Sequence, residues 1–207
     1  MNKYVMEFIG TFFLVFVVGL SVVGIGAGAM APLAIGTILM VMVYAGGHIS
    51  GGHYNPAVTL AVWMRGKCDT TDVPGYWTAQ FIAAVVAALL VGYLKHGSLV
   101  IEAQPNMIHA LLVELIFTFA LAFVVLNVAT SKGTAGNSFY GLAIGFTVMA
   151  SAYAAGNISG GAFNPAVALG MTLMGLNKLA MLLIFWIGNF AGGALAAVTF
   201  KYLNPQE

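Results

Sequence analysis

Charge is scarce in this sequence. Seven Lys and Arg and six Asp and Glu are spread over 207 residues, 6% of the chain, where soluble domains carry about 25%. That shortage excludes an ordinary water-soluble domain, and a hydrophobic content of 61% points to a chain solvated by lipid. A formal net charge of +1 offers no basic surface to a nucleic acid, so none is expected as a partner. Cysteine is nearly absent: Cys68 alone excludes an internal disulfide and any Cys-based zinc site, and reads as a bystander thiol. His48, His53, His96 and His109 form no pair in a metal-ligand setting, so no metal is expected. A Gly-x-Ser-x-Gly elbow, a phosphate loop and a dinucleotide fingerprint are missing too. Nothing points to an enzyme, and no cofactor is called for.

Long apolar runs stand where charge does not. Six of them, at about 4–24, 32–47, 76–94, 109–129, 137–155 and 179–203, answer to the roughly 20 residues that a helix needs to cross the hydrocarbon core. The second must begin a few residues earlier to reach that length. Two further runs, 55–64 and 164–176, are about half as long as required and cannot cross alone. The first run follows Met1-Asn2-Lys3, holds Glu7 and has no Ala-x-Ala-like cleavage site, so it reads as a retained span. With the N-terminus in the cytoplasm, Lys3, Arg65, Lys67, Lys132 and Lys201 lie inside and only Lys95 and Lys178 outside. This bias favours both termini on the cytoplasmic side of a plasma or cell inner membrane.

The phrase HISGGHYNPAV at 48–58 returns as NISGGAFNPAV at 157–167. Glu7-Phe8-Ile9-Gly10-Thr11-Phe12 is likewise echoed by Glu114-Leu115-Ile116-Phe117-Thr118-Phe119. The offset is 164 − 55 = 109 at the asparagines and 114 − 7 = 107 at the glutamates. Two copies, approximately 1–95 and 108–203, therefore each hold three spans and one short segment. Three is odd, so the second copy enters the membrane upside down, as in inverted repeats that bring discontinuous helices to the bilayer midplane. The expected fold class is an all-α membrane protein: six transmembrane helices plus two re-entrant half-helices, within a single domain over 1–207.

Local chemistry fits that picture. Asn55 and Asn164 can N-cap a helix whose first residue is Pro56 or Pro165, where the missing N–H is no loss. Each half-helix then presents a positive dipole end, and each Asn amide adds donors beside it. Gly51-Gly52 and Gly160-Gly161 permit a tightly curved approach, tolerated at membrane depth only where it is buried in protein or lines a wet cavity. Carbonyls at Gly51, Gly52, His53, Gly160 and Ala162 become candidate acceptors along a narrow path. An Asn-Pro that merely breaks a helix is the plain alternative, against which stand the matching lead-ins, the inversion and the half-length helices. Asn204-Pro205 has no Gly-Gly before it and no helix after it, and reads as a terminus only. Glu7 and Glu114 are intramembrane acids, which by default suggests a proton relay and keeps open a proton-coupled secondary transporter built from inverted repeats. Their matched positions suit a scaffold better, each carboxylate accepting backbone N–H groups of a re-entrant loop.

With two Asn-Pro-Ala motifs, a Glu in the first and fourth spans and His48-Ile49-Ser50-Gly51-Gly52-His53 before the first motif, the whole chain resembles the aquaporin and glycerol-channel family, the major intrinsic proteins. The resemblance implies passive conduction of water or small uncharged solutes and a homotetramer in which each subunit has its own pore; exclusion of ions and protons is expected to rest on the paired half-helix ends with Asn55 and Asn164, despite Val167. It also implies a selectivity filter at Ile35, Ala152, Gly161 and Val167. The family usually has Arg where this chain has Val167, and strict water channels carry His in the fifth span, where it has Ala152. Without charge or side-chain hydrogen-bonding groups, such a filter looks wider and more apolar, which brings ammonia, urea, glycerol and metalloid hydroxides into question beside water. Ala168, where glycerol channels usually carry an acid, and the pair Phe185-Trp186 pull back toward water. His48 and His53 brace or line the first loop, and a pH gate at His53 or His96 is a lesser option.

Overall fold

The computed structural model describes residues 1–98, 100, 102 and 104–207. Among them, eight α-helices run in the order α1 (Asn2–Val22), α2 (Ala31–Ser50), α3 (Pro56–Met64), α4 (Val73–Leu94), α5 (Met107–Thr130), α6 (Tyr140–Ser159), α7 (Pro165–Leu173) and α8 (Leu179–Leu203). Six are long and apolar enough to cross a membrane. The other two, α3 and α7, have nine residues each and rise only about 14 Å. Outward positions are apolar as well, with Leu183 63% and Ile187 58% exposed on α8. Helices that are apolar all round have lipid, not water, as their solvent.

Helix ends follow local chemistry more closely than hydropathy. The second span does start earlier, at Ala31, and it also runs on to Ser50 because its first helix-stopping residue is Gly51, at φ 88°. Span five begins at Tyr140 instead of 137, since Asn137 is occupied in holding the preceding turn: its amide donates to Val128 O and Thr134 O, both at 2.7 Å. Its far end extends to Ser159, where Gly160 stops it at φ 100°. The second short segment is nine residues, not thirteen, because Gly175 at φ 75° closes it. Helix α5 starts at Met107, two residues before the expected 109, because Asn106 caps it, its side chain accepting from Ile108 N at 3.0 Å and His109 N at 3.1 Å.

The main packed pairs are α5 with α8, α1 with α4 and α2 with α6. Where α2 crosses α6, a Cβ on Gly145 would lie 2.5 Å from the Gly36 carbonyl oxygen, and one on Gly36 2.7 Å from that of Gly145. Only hydrogen fits there, so the backbones touch, as small residues allow in membranes.

Both termini lie on one side, where the few charges gather. Lys3 Nζ and Tyr4 Oη, the latter at 2.8 Å, donate to Asp72 at the start of α4. The tail is more than a terminus, contrary to the reading of Asn204-Pro205. Beyond α8 it turns back so that Glu207 accepts from Arg65 Nη2 at 2.7 Å, Ser131 Oγ at 2.7 Å and Lys132 N at 2.9 Å. Arg65, buried and lying 4.8 Å over the Phe200 ring, thus ties the end of α3 to the α5–α6 connection through the tail.

The Ser131 hydroxyl, then the Lys132 N–H and the Arg65 charge, hold the Glu207 carboxyl below its ordinary value; Lys3 and then Tyr4 do the same for Asp72. A depressed folded pKa favours the ionised form in the folded state. The stability it contributes is present above the ordinary carboxylate pKa of about 4 and is lost as pH falls through the folded value. Thermal unfolding in detergent should therefore give a midpoint that holds at neutral pH and drops on the acid side. Glu207→Gln should lower the midpoint at neutral pH and flatten the acid-side drop, and identical profiles for both proteins would contradict this assignment.

Candidate functional site

Each short helix is aimed by a loop that turns on positive φ angles. Gly51 and Gly52 have φ 88° and 64°, Gly160 and Gly161 100° and 71°. Tyr54 and Phe163 sit at φ 48° in both copies, a region that costs a residue with a Cβ roughly 1–3 kcal/mol. A carboxylate holds each strained loop. Glu7 Oε1 accepts from Ser50 Oγ at 2.7 Å and His53 N at 2.9 Å, while Oε2 accepts from Tyr54 N at 2.7 Å and Gln80 Nε2 at 2.8 Å. Glu114 repeats the pattern with Ser159 Oγ at 2.8 Å, Ala162 N at 3.0 Å, Phe163 N at 2.7 Å and Asn189 Nδ2 at 2.7 Å. Both side chains are wholly buried, and every carboxylate oxygen faces two donors.

The helix tips are joined across the copies. Asn55 Oδ1 accepts from Ala57 N at 2.9 Å and so caps α3, while its Nδ2 donates to Phe163 O at 2.9 Å. Asn164 caps α7 through Ala166 N at 2.9 Å and donates to Tyr54 O at 2.8 Å. One N–H of each amide is thereby used and a second remains. Behind the tips, Trp77 Nε1 donates to Pro56 O at 3.1 Å and Trp186 Nε1 to Pro165 O at 3.0 Å. The two prolines, which lack N–H groups, still carry bonded carbonyls.

Beside the tips runs a narrow lumen between two wide vestibules. Water-sized spheres find about 20 Å³ in the lumen, against about 450 Å³ in the vestibule on the termini side and about 460 Å³ in the opposite one. Asn55, Asn164, His53, Ala162, Ile35, Gly161 and Val167 border the lumen. Ile35 and Gly161 also border the opposite vestibule, together with Ala152 and Gly160, which do not reach the lumen. Gly51 borders the vestibule on the termini side, while Gly52 is buried beside Gly47 and Val43. His53 stands at the junction of lumen and termini-side vestibule; His48 does not line the lumen. Most of the remaining lumen wall is aliphatic, including Leu14, Val18, Leu121 and Val125.

Sequence reasoning passed over Gln80, Asn189 and Trp77, and it gave no bonding role to Trp186, Ser50, Ser159, Tyr54 or Phe163, which it met only inside longer phrases. A signal for all of them was present: each pair is separated by the 109 positions that separate Asn55 from Asn164.

Residues 1–200 match the family model described as Major intrinsic protein. Aquaporin NIP2-1 of Oryza sativa subsp. japonica is 38% identical over 218 residues, an alignment that covers all of this chain and 72% of that one. Glycerol uptake facilitator protein-like 6 of Lactiplantibacillus plantarum is 36% identical over 218 residues, with both chains covered in full. The X-ray structure of the aquaglyceroporin from Plasmodium falciparum superimposes with a TM-score of 0.79 over 99% of this chain and 95% of that one. Its sequence identity is 22%, so that likeness is one of fold.

The saturation of Glu114 has a measurable consequence. In Glu114→Gln, an NH₂ group replaces an acceptor among four donors, which should destabilise the fold by about 3 kcal/mol or more. Thermal unfolding of the purified variant checks this, and a fully stable Glu114→Gln protein would refute it.

Proposed function

We infer what this chain does from its family, for it belongs to the major intrinsic proteins: it is a passive channel through which water and small uncharged solutes cross the membrane. The observation that carries the reading is the narrow cavity bordered by Asn55 and Asn164, which shares His53 and Val125 with the vestibule on the termini side and Val18, Ile35 and Gly161 with the opposite one. In a single domain over 1–207, repeats at about 1–95 and 108–203 are inverted. Their half-helices, end to end, make up about 27 Å of the ~30 Å hydrocarbon thickness. Two positive helix ends then face each other at the midplane, and the spare amide hydrogens of Asn55 and Asn164 orient a passing oxygen. Cations meet like charge there and protons lose a continuous chain of like-oriented waters, so both are excluded. Carbonyls of Gly51, Gly52, His53, Gly160 and Ala162 supply acceptors on the way in and out.

Glu7, Glu114, Pro56 and Pro165 serve as scaffold. The proton-coupled transporter is not favoured, since all four carboxylate oxygens are already engaged by donors. The filter is Ile35, Ala152, Gly161 and Val167, an uncharged ring at the mouth away from the termini. Both termini lie in the cytoplasm, in a plasma or cell inner membrane. Four copies assemble with one pore each, and no cofactor is needed.

Stopped-flow measurements on proteoliposomes test the reading, with water, glycerol, urea and ammonia compared in the same vesicles. Val167→Arg should cut glycerol permeation by roughly tenfold more than water permeation; equal losses would remove Val167 from the filter. Voltage-clamped membranes should show no proton or Na⁺ current that scales with the amount of protein, even though the filter lacks Arg.

A further inference from the structure

Six elements ring the lumen in a closed order, each touching the next: α1, α2, α6, α5, α3 and α7, with α7 meeting α1 again. Among the described residues, none from α4 or α8 borders the lumen. Two of the joints in this ring are their own repeats. The 109-residue offset that carries Asn55 onto Asn164 also carries Gly36 onto Gly145, so the α3–α7 joint and the α2–α6 joint each map onto themselves. They stand opposite one another in the ring, with the lumen between them.

The two joints are closed by different means. Between α3 and α7, the crossed bonds of Asn55 and Asn164 hold the tips. Where α2 meets α6, backbone touches backbone. A Cβ on Gly145 would lie 2.5 Å from Gly36 O and 2.6 Å from Met40 Cβ, and one on Gly36 would lie 2.7 Å from Gly145 O and 2.6 Å from Met149 Cβ. None of these atoms is the free end of a side chain that swings aside, so one added carbon must move a helix. Reaching an ordinary contact of 3.4 Å takes about 0.9 Å at Gly145 (3.4 − 2.5).

The same stretch of each helix supplies lumen wall. Ile35 and Ile144 immediately precede the two glycines, Leu39 and Val148 follow one turn later on the same faces, and all four border the lumen. Helix separation and lumen bore are thus one variable. The glycine contact fixes how near α2 and α6 approach, and their four side chains form the wall across from the asparagines.

We propose that Gly36 and Gly145 set the largest solute this pore passes, as positioning residues that bring Ile35, Leu39, Ile144 and Val148 up to Asn55 and Asn164. The inference rests on the channel reading and adds to it what limits the bore beside the asparagines. Neither glycine borders the lumen or a vestibule. With the two helices drawn together, a water that meets a spare Asn amide hydrogen has aliphatic side chains on its other flank. Glycerol must carry its carbon chain past the same point and is retarded. A Cβ at either glycine spreads the wall and relaxes that restriction.

Proteoliposomes of wild type, Gly36→Ala, Gly145→Ala, Gly192→Ala and Leu39→Val, compared for water and glycerol permeation and for thermal unfolding, test the proposal. Each of the first two variants should raise the glycerol-to-water permeability ratio by roughly tenfold, the low end of what a methylene-sized change does to discrimination. Gly192→Ala is the control, because a Cβ there would lie 2.4 Å from Leu115 O at the α5–α8 joint, outside the ring. It should lower the unfolding midpoint as the others do and leave the ratio unmoved. A ratio unchanged in the folded Gly36→Ala and Gly145→Ala proteins, or raised equally in Gly192→Ala, would overturn the proposal and leave the channel intact. Should neither variant at the joint fold, Leu39→Val decides, since it trims the wall by one methylene without touching the joint: a raised ratio supports the proposal and an unchanged one overturns it. Wild-type vesicles no leakier than empty ones would remove the channel reading and this inference together.

Discussion

A backbone N–H deep in hydrocarbon has no water to bond, and this shortage governs the structure. Two loops turn back at membrane depth, and each exposes N–H groups that an unpaired state would penalise by about 1–3 kcal/mol apiece. One buried carboxylate per loop takes them up. Glu7 and Glu114 do so from α1 and α5, and Gln80 on α4 and Asn189 on α8 fill the last acceptor sites. In a chain with only six acidic residues, two lie where charge is costliest, because nothing else accepts four bonds at once. Once these loops are held, the strained Tyr54 and Phe163 point their carbonyls at the opposite asparagine, and the short helices are aimed.

Repetition explains most of what the lumen is, and its imperfections explain the rest. The two cradles use the same bonds with different side chains: Gln80 reaches Thr59, while the shorter Asn189 reaches Thr118 instead. On the α3 side, Thr59 is left to hold His53, whereas its counterpart Ala168 has no hydroxyl to offer. A small asymmetry in the scaffold therefore becomes a polar asymmetry in the lumen.

What could be read in the sequence was whatever repeated in consecutive residues. Asn-Pro-Ala-Val after Gly-Gly announced two half-helices, and the apolar runs announced six spans. Isolated polar residues inside apolar spans were harder to see. Gln80 and Asn189 differ in type, and only alignment of the copies shows that they do one job. Helix ends were displaced by features outside hydropathy, such as the Asn137 side chain in its turn and Gly175 at positive φ. The tail escaped notice because Glu207 meets Arg65 across 142 residues of sequence, a pairing that no local pattern encodes.

The crossed asparagine bonds set an order of events for biosynthesis. Asn55 is completed by a carbonyl at Phe163, 108 residues further along the chain, so the first half cannot finish its re-entrant loop while it is the only part made. Its tip must wait, held by Glu7 but lacking its opposite number, until α6 and the second loop have entered the bilayer. The bonds that join the two tips can therefore form only when both halves of the chain are present.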